Sequence, residues 1–324
     1  VINMNNLKKI GLSALAGSLA TFSAHAADFS VTGSAGLTFD DPNRGKGSKG
    51  NSFYMGDSLG FNASGETDGG IGVAVYYELD NDIVDDYDMT LSGDWGTMKF
   101  HGSGGSTAFG AVDDVMPNAY EEAWDIIDTD GAATSGSPHV IGGGSGANMF
   151  KYTSPSFSGA TLTVAYVDGS NSAAIEDSYT DFALAVSPEA VEGLTVGYAS
   201  SDNLAGVGVD NAKTTFYAKY AFGSVTVGAQ MSEQDHDTAS LDRESTAYGI
   251  TYAVSDDISI GYTTHTMDYS SSKTNNEDQK STGISASYTA GGMTLAGAVN
   301  DVENMQGTAT KDFEGYEFTL SFAF

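Results

Sequence analysis

The sequence predicts an all-β protein, a sixteen-stranded antiparallel transmembrane β-barrel, and three observations carry that prediction. From Phe29 to Phe324 apolar residues recur with period two in sixteen stretches, most of them roughly nine to twelve residues long, close to what a tilted strand needs to cross hydrocarbon. Tight Gly- and Asp-rich turns alternate with longer polar loops between those stretches. Composition agrees: 41 Gly, 17 Tyr and 16 Phe stand against 5 Pro, the balance of strands and turns.

The N-terminus gives an address. Lys8 and Lys9 precede an apolar run from Ile10 to Phe22, and Ala24-His25-Ala26 fits a small-residue cleavage site. Residues 1–26 therefore read as a secretory signal peptide, leaving 27–324 as the barrel domain; the alternative is an apolar helix retained in a core. No later apolar run reaches helical-span length, so a membrane would be crossed by strands. The net charge is -30, with 13 Lys and Arg against 43 Asp and Glu. Such a surface repels phosphate backbones and sets nucleic acid aside as a partner. With no Cys, disulfides and thiolate metal sites are excluded.

Alternation places the strands at about 29–39, 52–65, 71–79, 86–93, 96–102, 147–154, 160–167, 178–187, 194–201, 212–222, 224–233, 243–254, 257–269, 279–290, 293–303 and 313–324. In the third, Val73, Val75, Tyr77 and Leu79 share a face; in the tenth, Phe216, Ala218, Tyr220 and Phe222 do so. A soluble sandwich also alternates, but its strands are mostly shorter. Even-numbered strands are followed by turns such as "TDGG", "GDWG" and "AGG", and odd-numbered ones by loops such as "DDPNRGKGSKGN" and "SDNLAGVGVDNA". Short turns at one end and long acidic loops at the other are the asymmetry of an outer-membrane barrel. The last strand, "GYEFTLSFAF", puts Tyr316, Phe318, Leu320, Phe322 and Phe324 on one face, apolar to the final residue. Strand sixteen returns to the end where strand one starts, so the two can pair and leave no free edge.

By strand count, loop asymmetry, signal peptide and the terminal "FTLSFAF", the chain resembles the Gram-negative general porins, trimeric sixteen-stranded outer-membrane proteins, over its whole mature length. The resemblance implies a homotrimer in outer-membrane lipid and a third external loop folded into the barrel. It also implies that Phe318, Phe322 and Phe324 form the signal read by the barrel-assembly machinery. Asp57 departs from the pattern: it falls on the nominal outer face of strand two, which points to a bulge, a register slip or cover by a neighbouring subunit.

Residues 103–146 form one connection far beyond ordinary loop length, at the ordinal position of the constriction loop. Within it "MPNAYEEAWDIID" predicts a short helix with Asn118 as N-cap and Tyr120, Trp124 and Ile127 on one face. The acidic edge of the pore is then Asp113, Asp114, Glu121, Glu122, Asp125 and Asp128, joined in the same loop by Asp130 and by no Lys or Arg. Parity turns Lys99, His101, Lys151 and Lys219 inward, because a charge facing lipid costs about 2 to 4 kcal/mol at the midplane. By the resemblance, these bases face the acidic loop across the eyelet; the plainer reading is that they solvate a wet lumen.

Acid clusters invite a calcium reading at Asp85, Asp86 and Asp88 and at Asp128 and Asp130, but none has EF-hand spacing, and no other cofactor is expected. There is no G-x-S-x-G or H-E-x-x-H and no short repeat, which argues against an enzyme and against a β-solenoid adhesin. The expected function is passive, cation-preferring diffusion of ions and small hydrophilic solutes through a water-filled pore. A substrate-specific channel on the same barrel is the alternative.

Overall fold

In hydrocarbon no water is present to satisfy a sheet's free edge, so a strand structure spans a membrane only if its first and last strands find each other. The computed structural model describes residues 28–41, 53–80, 83–124, 141–142, 147–168, 178–202, 211–269 and 276–324. The expected signal segment 1–26 lies outside the described residues, as do Asp125, Asp128 and Asp130.

The strands are β1 (Asp28–Asp41), β2 (Phe53–Glu66), β3 (Gly72–Asp80), β4 (Ile83–Gly93), β5 (Gly96–Ser103), β6 (Met149–Thr153), β7 (Ala160–Val167) and β8 (Tyr179–Val186). They continue as β9 (Leu194–Asp202), β10 (Asn211–Phe222), β11 (Val225–His236), β12 (Arg243–Ala253), β13 (Ile258–Asp268), β14 (Gln279–Ala290), β15 (Met293–Glu303) and β16 (Phe313–Ala323). Each pairs antiparallel with its neighbours in sequence, and β1 pairs with β16 to close the barrel. The seam is in register from Ser34 opposite Ala323 to Asp41 opposite Tyr316. Beyond it, Gly33 and Phe324 exchange two backbone bonds of 2.8 and 2.9 Å. The last residue is thus part of the closure.

Period-two alternation sorts the side chains between two solvents. On β10, Phe216 and Tyr220 are 46% and 40% exposed on the outside, while Thr215 and Tyr217, on either side of Phe216, are buried toward the lumen. The same apolar exposure recurs around the whole barrel and includes Phe318, Phe322 and Phe324, an outer surface far too large and continuous for a soluble monomer. Aromatic bands mark both rims. At the short-turn end Trp95 stacks on Tyr152 at 6.3 Å, with the Tyr152 hydroxyl donating to the Trp95 carbonyl. At the other end Phe39 packs against Phe53 and Tyr316 at 4.8 and 5.8 Å.

One connection departs from the expected asymmetry. β4 begins at Ile83 rather than near Asp86, so β3 and β4 are joined by residues 81–82 alone, with a register shift between Tyr77 and Leu79. The acids of "DDYD" concealed the start of the strand because they carry no apolar alternation. Removing Phe324 should break both bonds to Gly33 and cost about 1 to 3 kcal/mol, seen as a lower urea midpoint for loss of the folded, fast-migrating gel band.

Candidate functional site: the loop laid across the lumen

The connection from β5 to β6 turns inward at once. Gly104 and Gly105 have φ of +66° and +84°, and side chains there would collide with Asp86 and His101. Consecutive left-handed residues redirect the chain from the strand axis into the barrel. Lys151 Nζ donates to the Ser106 carbonyl at 2.8 Å, and Asp181 on β8 takes over from there. Only 1% exposed, Asp181 accepts from the amides of Ala108 and Phe109 at 2.9 and 3.0 Å and from the Tyr179 hydroxyl at 2.8 Å. This buried carboxylate is satisfied by three donors, so its burial is compatible with its charge. Ala108 and Phe109 pack with Met149, Ala165, Val167 and Tyr179 beneath it.

The second anchor is Gln230 on β11. Its amide nitrogen donates to the carbonyls of Val112 and Asp113 and to Thr215 Oγ1, at 2.9, 3.0 and 2.9 Å, while its oxygen accepts from the Val115 amide at 3.2 Å. The loop backbone then crosses a column of inward glycines on four successive strands. A Cβ on Gly228 would lie 2.6 Å from Pro117 Cδ, one on Gly249 2.6 Å from the Pro117 carbonyl, one on Gly261 2.7 Å from the Ala119 amide, and one on Gly283 3.0 Å from Ala123 Cα. Only the absence of side chains lets the loop approach the wall this closely. Wall side chains complete the attachment: Ser285 and Thr263 accept from the amides of Ala119 and Ala123 at 3.1 and 2.8 Å. Asn300 donates to the Glu122 carbonyl at 2.7 Å. Trp124 packs on His265 at 4.8 Å and donates to Asp114 Oδ2 at 2.9 Å, and the Tyr120 hydroxyl donates to Glu317 on β16. Burial, and then the bond to Glu317, push the Tyr120 phenol well above its ordinary pKa, so it remains a proton donor at physiological pH.

These bonds explain why the expected helix is not formed over its described part. Residues 116–124 are irregular chain with a bend at 119–120 and a turn at 123–124. The amides of Ala119 and Ala123 are given to wall hydroxyls rather than to carbonyls one helical turn back, and Asn118 spends its carboxamide on the Met116 carbonyl and the Glu122 carboxylate. Asp113, Asp114, Glu121 and Glu122 are all carried on this lumenal path, half-buried. Asp125 and Asp128 lie outside the described residues.

Lys99 and Lys151 stand opposite each other on β5 and β6, beside His101 at the root of the loop, and Lys99 Nζ pairs with Asp88 at 2.9 Å. Lys219 differs from the expectation. It lies beneath loop residues 115–118, on the wall the loop covers rather than across from it, because the loop follows the wall past β10. The calcium reading at Asp85, Asp86 and Asp88 also meets the alternation of β4, which puts Asp86 and Asp88 on one face and Asp85 on the other. Among the described residues no three His, Asp or Glu side chains converge on a metal position. Asp181, Gln230, Asn300 and Glu317 were missed by sequence reasoning; their signal was a polar or acidic residue at an inward position, and the glycine column was legible in the same parity.

A closed barrel with an apolar exterior, a polar interior and a chain segment fastened across that interior defines a membrane channel scaffold. A family model for Gram-negative porins matches residues 11–271, and the chain belongs to that family. No curated protein sequence matches it. Among solved structures it is similar to the anion-selective porin from Comamonas acidovorans, at 14% identity and a TM-score of 0.67 over 92% of this chain and 100% of that one. The trimer form of OmpT, an outer membrane protein of Vibrio cholerae, is 11% identical with a TM-score of 0.65 over 92% and 99%. A triply substituted Rhodopseudomonas blastica porin is 18% identical with a TM-score of 0.63 over 92% and 100%. At these identities the likeness establishes the shared barrel.

Asp181→Asn replaces one acceptor by a donor facing two amides. Hydrogen exchange at Ala108 and Phe109 should quicken at least about tenfold while the amides of β10 to β14 stay protected.

Proposed function

We propose that the protein forms a passive, water-filled pore in the outer membrane that admits ions and small hydrophilic solutes and prefers cations. The observation that carries the preference is the loop itself. It is fastened along the lumen with Asp113, Asp114, Glu121 and Glu122 on it, and the whole of 103–146 contains no Lys or Arg. Negative charge between low-dielectric walls focuses potential and raises the local cation concentration. The barrel shared with an anion-selective porin from Comamonas acidovorans does not fix this sign, because selectivity follows the charges on the constriction rather than the strands. The reading needs no catalytic step and no cofactor.

Asp57 supports a homotrimer. On the outer face of β2 it lies between Met55 and Leu59, which are 66% and 39% exposed, and it is itself exposed. A carboxylate there is unfavourable against lipid and is relieved if a neighbouring subunit covers it. The trimer form of the Vibrio cholerae OmpT structure offers the same assembly on a similar barrel. The terminal Phe318, Phe322 and Phe324 on the outer face fit recognition by the barrel-assembly machinery.

Reversal potentials across a KCl gradient should have the sign of cation preference, and an anion-directed potential would overturn the selectivity. The pair Glu121→Gln and Glu122→Gln should move the potential toward zero without loss of conductance. Gly249→Val should push Pro117 toward the lumen axis and lower single-channel conductance in a barrel that still folds.

A further inference from the structure

Beneath the loop, on its short-turn side, the wall of β9 to β12 and loop residues 115–118 line an open hollow of about 410 Å³. Its volume is within the range of small-molecule sites. Parity builds its polar lining. Lys219 stands directly opposite Thr195 on β9, and Thr226 opposite Thr251 on β12, all four pointing inward. Asn118 and Pro117 form the roof. Lys219 Nζ lies 5.9 Å from the Tyr217 ring centroid, and among the described residues no carboxylate lies within ion-pair distance of it. The Glu122 carboxylate accepts from Asn118 of the roof. In a chain so poor in bases, an ammonium group among three hydroxyls in a hollow is a recognition element rather than a solvating charge.

We infer that this hollow binds small hydroxylated carboxylates, of which sugar acids are the type, as they pass through the pore. Lys219 takes the carboxylate, Thr195, Thr226 and Thr251 exchange hydrogen bonds with the hydroxyls, the Asn118 carboxamide oxygen accepts one more, and Pro117 covers the carbon chain. One cation selects a single negative charge, and the hydroxyls select a polyol over an alkyl acid. The site rests on the pore reading only for access, since its ligand arrives from the lumen.

The test is single-channel recording of the full-length folded protein in KCl, with sodium gluconate and then glucose added to either side. Gluconate should interrupt the current and glucose should not. Lys219→Gln should weaken the gluconate effect about tenfold, and Lys219→Arg should restore most of it. Equal interruption by glucose, no interruption by gluconate, or an unchanged effect in Lys219→Gln would each overturn the inference. If Lys219→Gln does not fold, Thr251→Val must show a weakened gluconate effect, and an unchanged one overturns it. A barrel that passes no current at all would sink the pore reading instead. Calorimetric titration of the detergent-solubilised protein with gluconate then decides the hollow on its own: heat that depends on Lys219 upholds it, and its absence overturns it.

Discussion

The structure depends on one requirement, that every strand amide and carbonyl in the hydrocarbon layer be bonded within the protein. Sixteen strands meet it only because β1 and β16 pair, and that seam runs to the last residue through the two bonds between Gly33 and Phe324. Closure then dictates everything else about side-chain placement. Once the sheet is a cylinder, each strand has one face for lipid and one for water, and a residue's parity decides which solvent it meets.

The interior is where the chain uses its polar residues structurally. A loop entering a wet lumen would exchange with water unless its backbone groups were better satisfied by the wall. Asp181 collects two loop amides in a buried position, and Gln230 reaches three acceptors and one donor with a single carboxamide. Beyond these two anchors the segment could not follow the wall if the glycines of β11 to β14 carried side chains, because the backbone could not come within reach of Ser285, Thr263 and Asn300. Charge placement follows from this attachment: acids that would be solvated on an external loop are instead carried into the conduit.

The barrel was legible because period two and turn chemistry are local properties, and Val73 to Leu79 or Phe216 to Phe222 announce their faces without any partner. The start of β4 was not legible, since Asp85, Asp86 and Asp88 carry no apolar period and strand pairing with β3 overrides their turn-like composition. The loop's path was hidden for a different reason. Tyr120, Trp124 and Asn118 have helical spacing, but the bonds that decide their conformation come from β13 to β16, more than a hundred residues away in sequence. Lys219 was given the right face and the wrong neighbour, because parity fixes inside against outside but not which arc of the cylinder the loop will cover.

The attachment of the loop also has a mechanical side. From Asp181 on β8 to Glu317 on β16 it lines about half the circumference and bonds to most of the strands it passes. That arc is in effect a double wall, a sheet backed by a second layer of chain bonded to it. Lateral pressure from the bilayer on β8 to β16 is therefore resisted by two layers, and the described part of the loop keeps its path because it moves only with the strands it is bonded to.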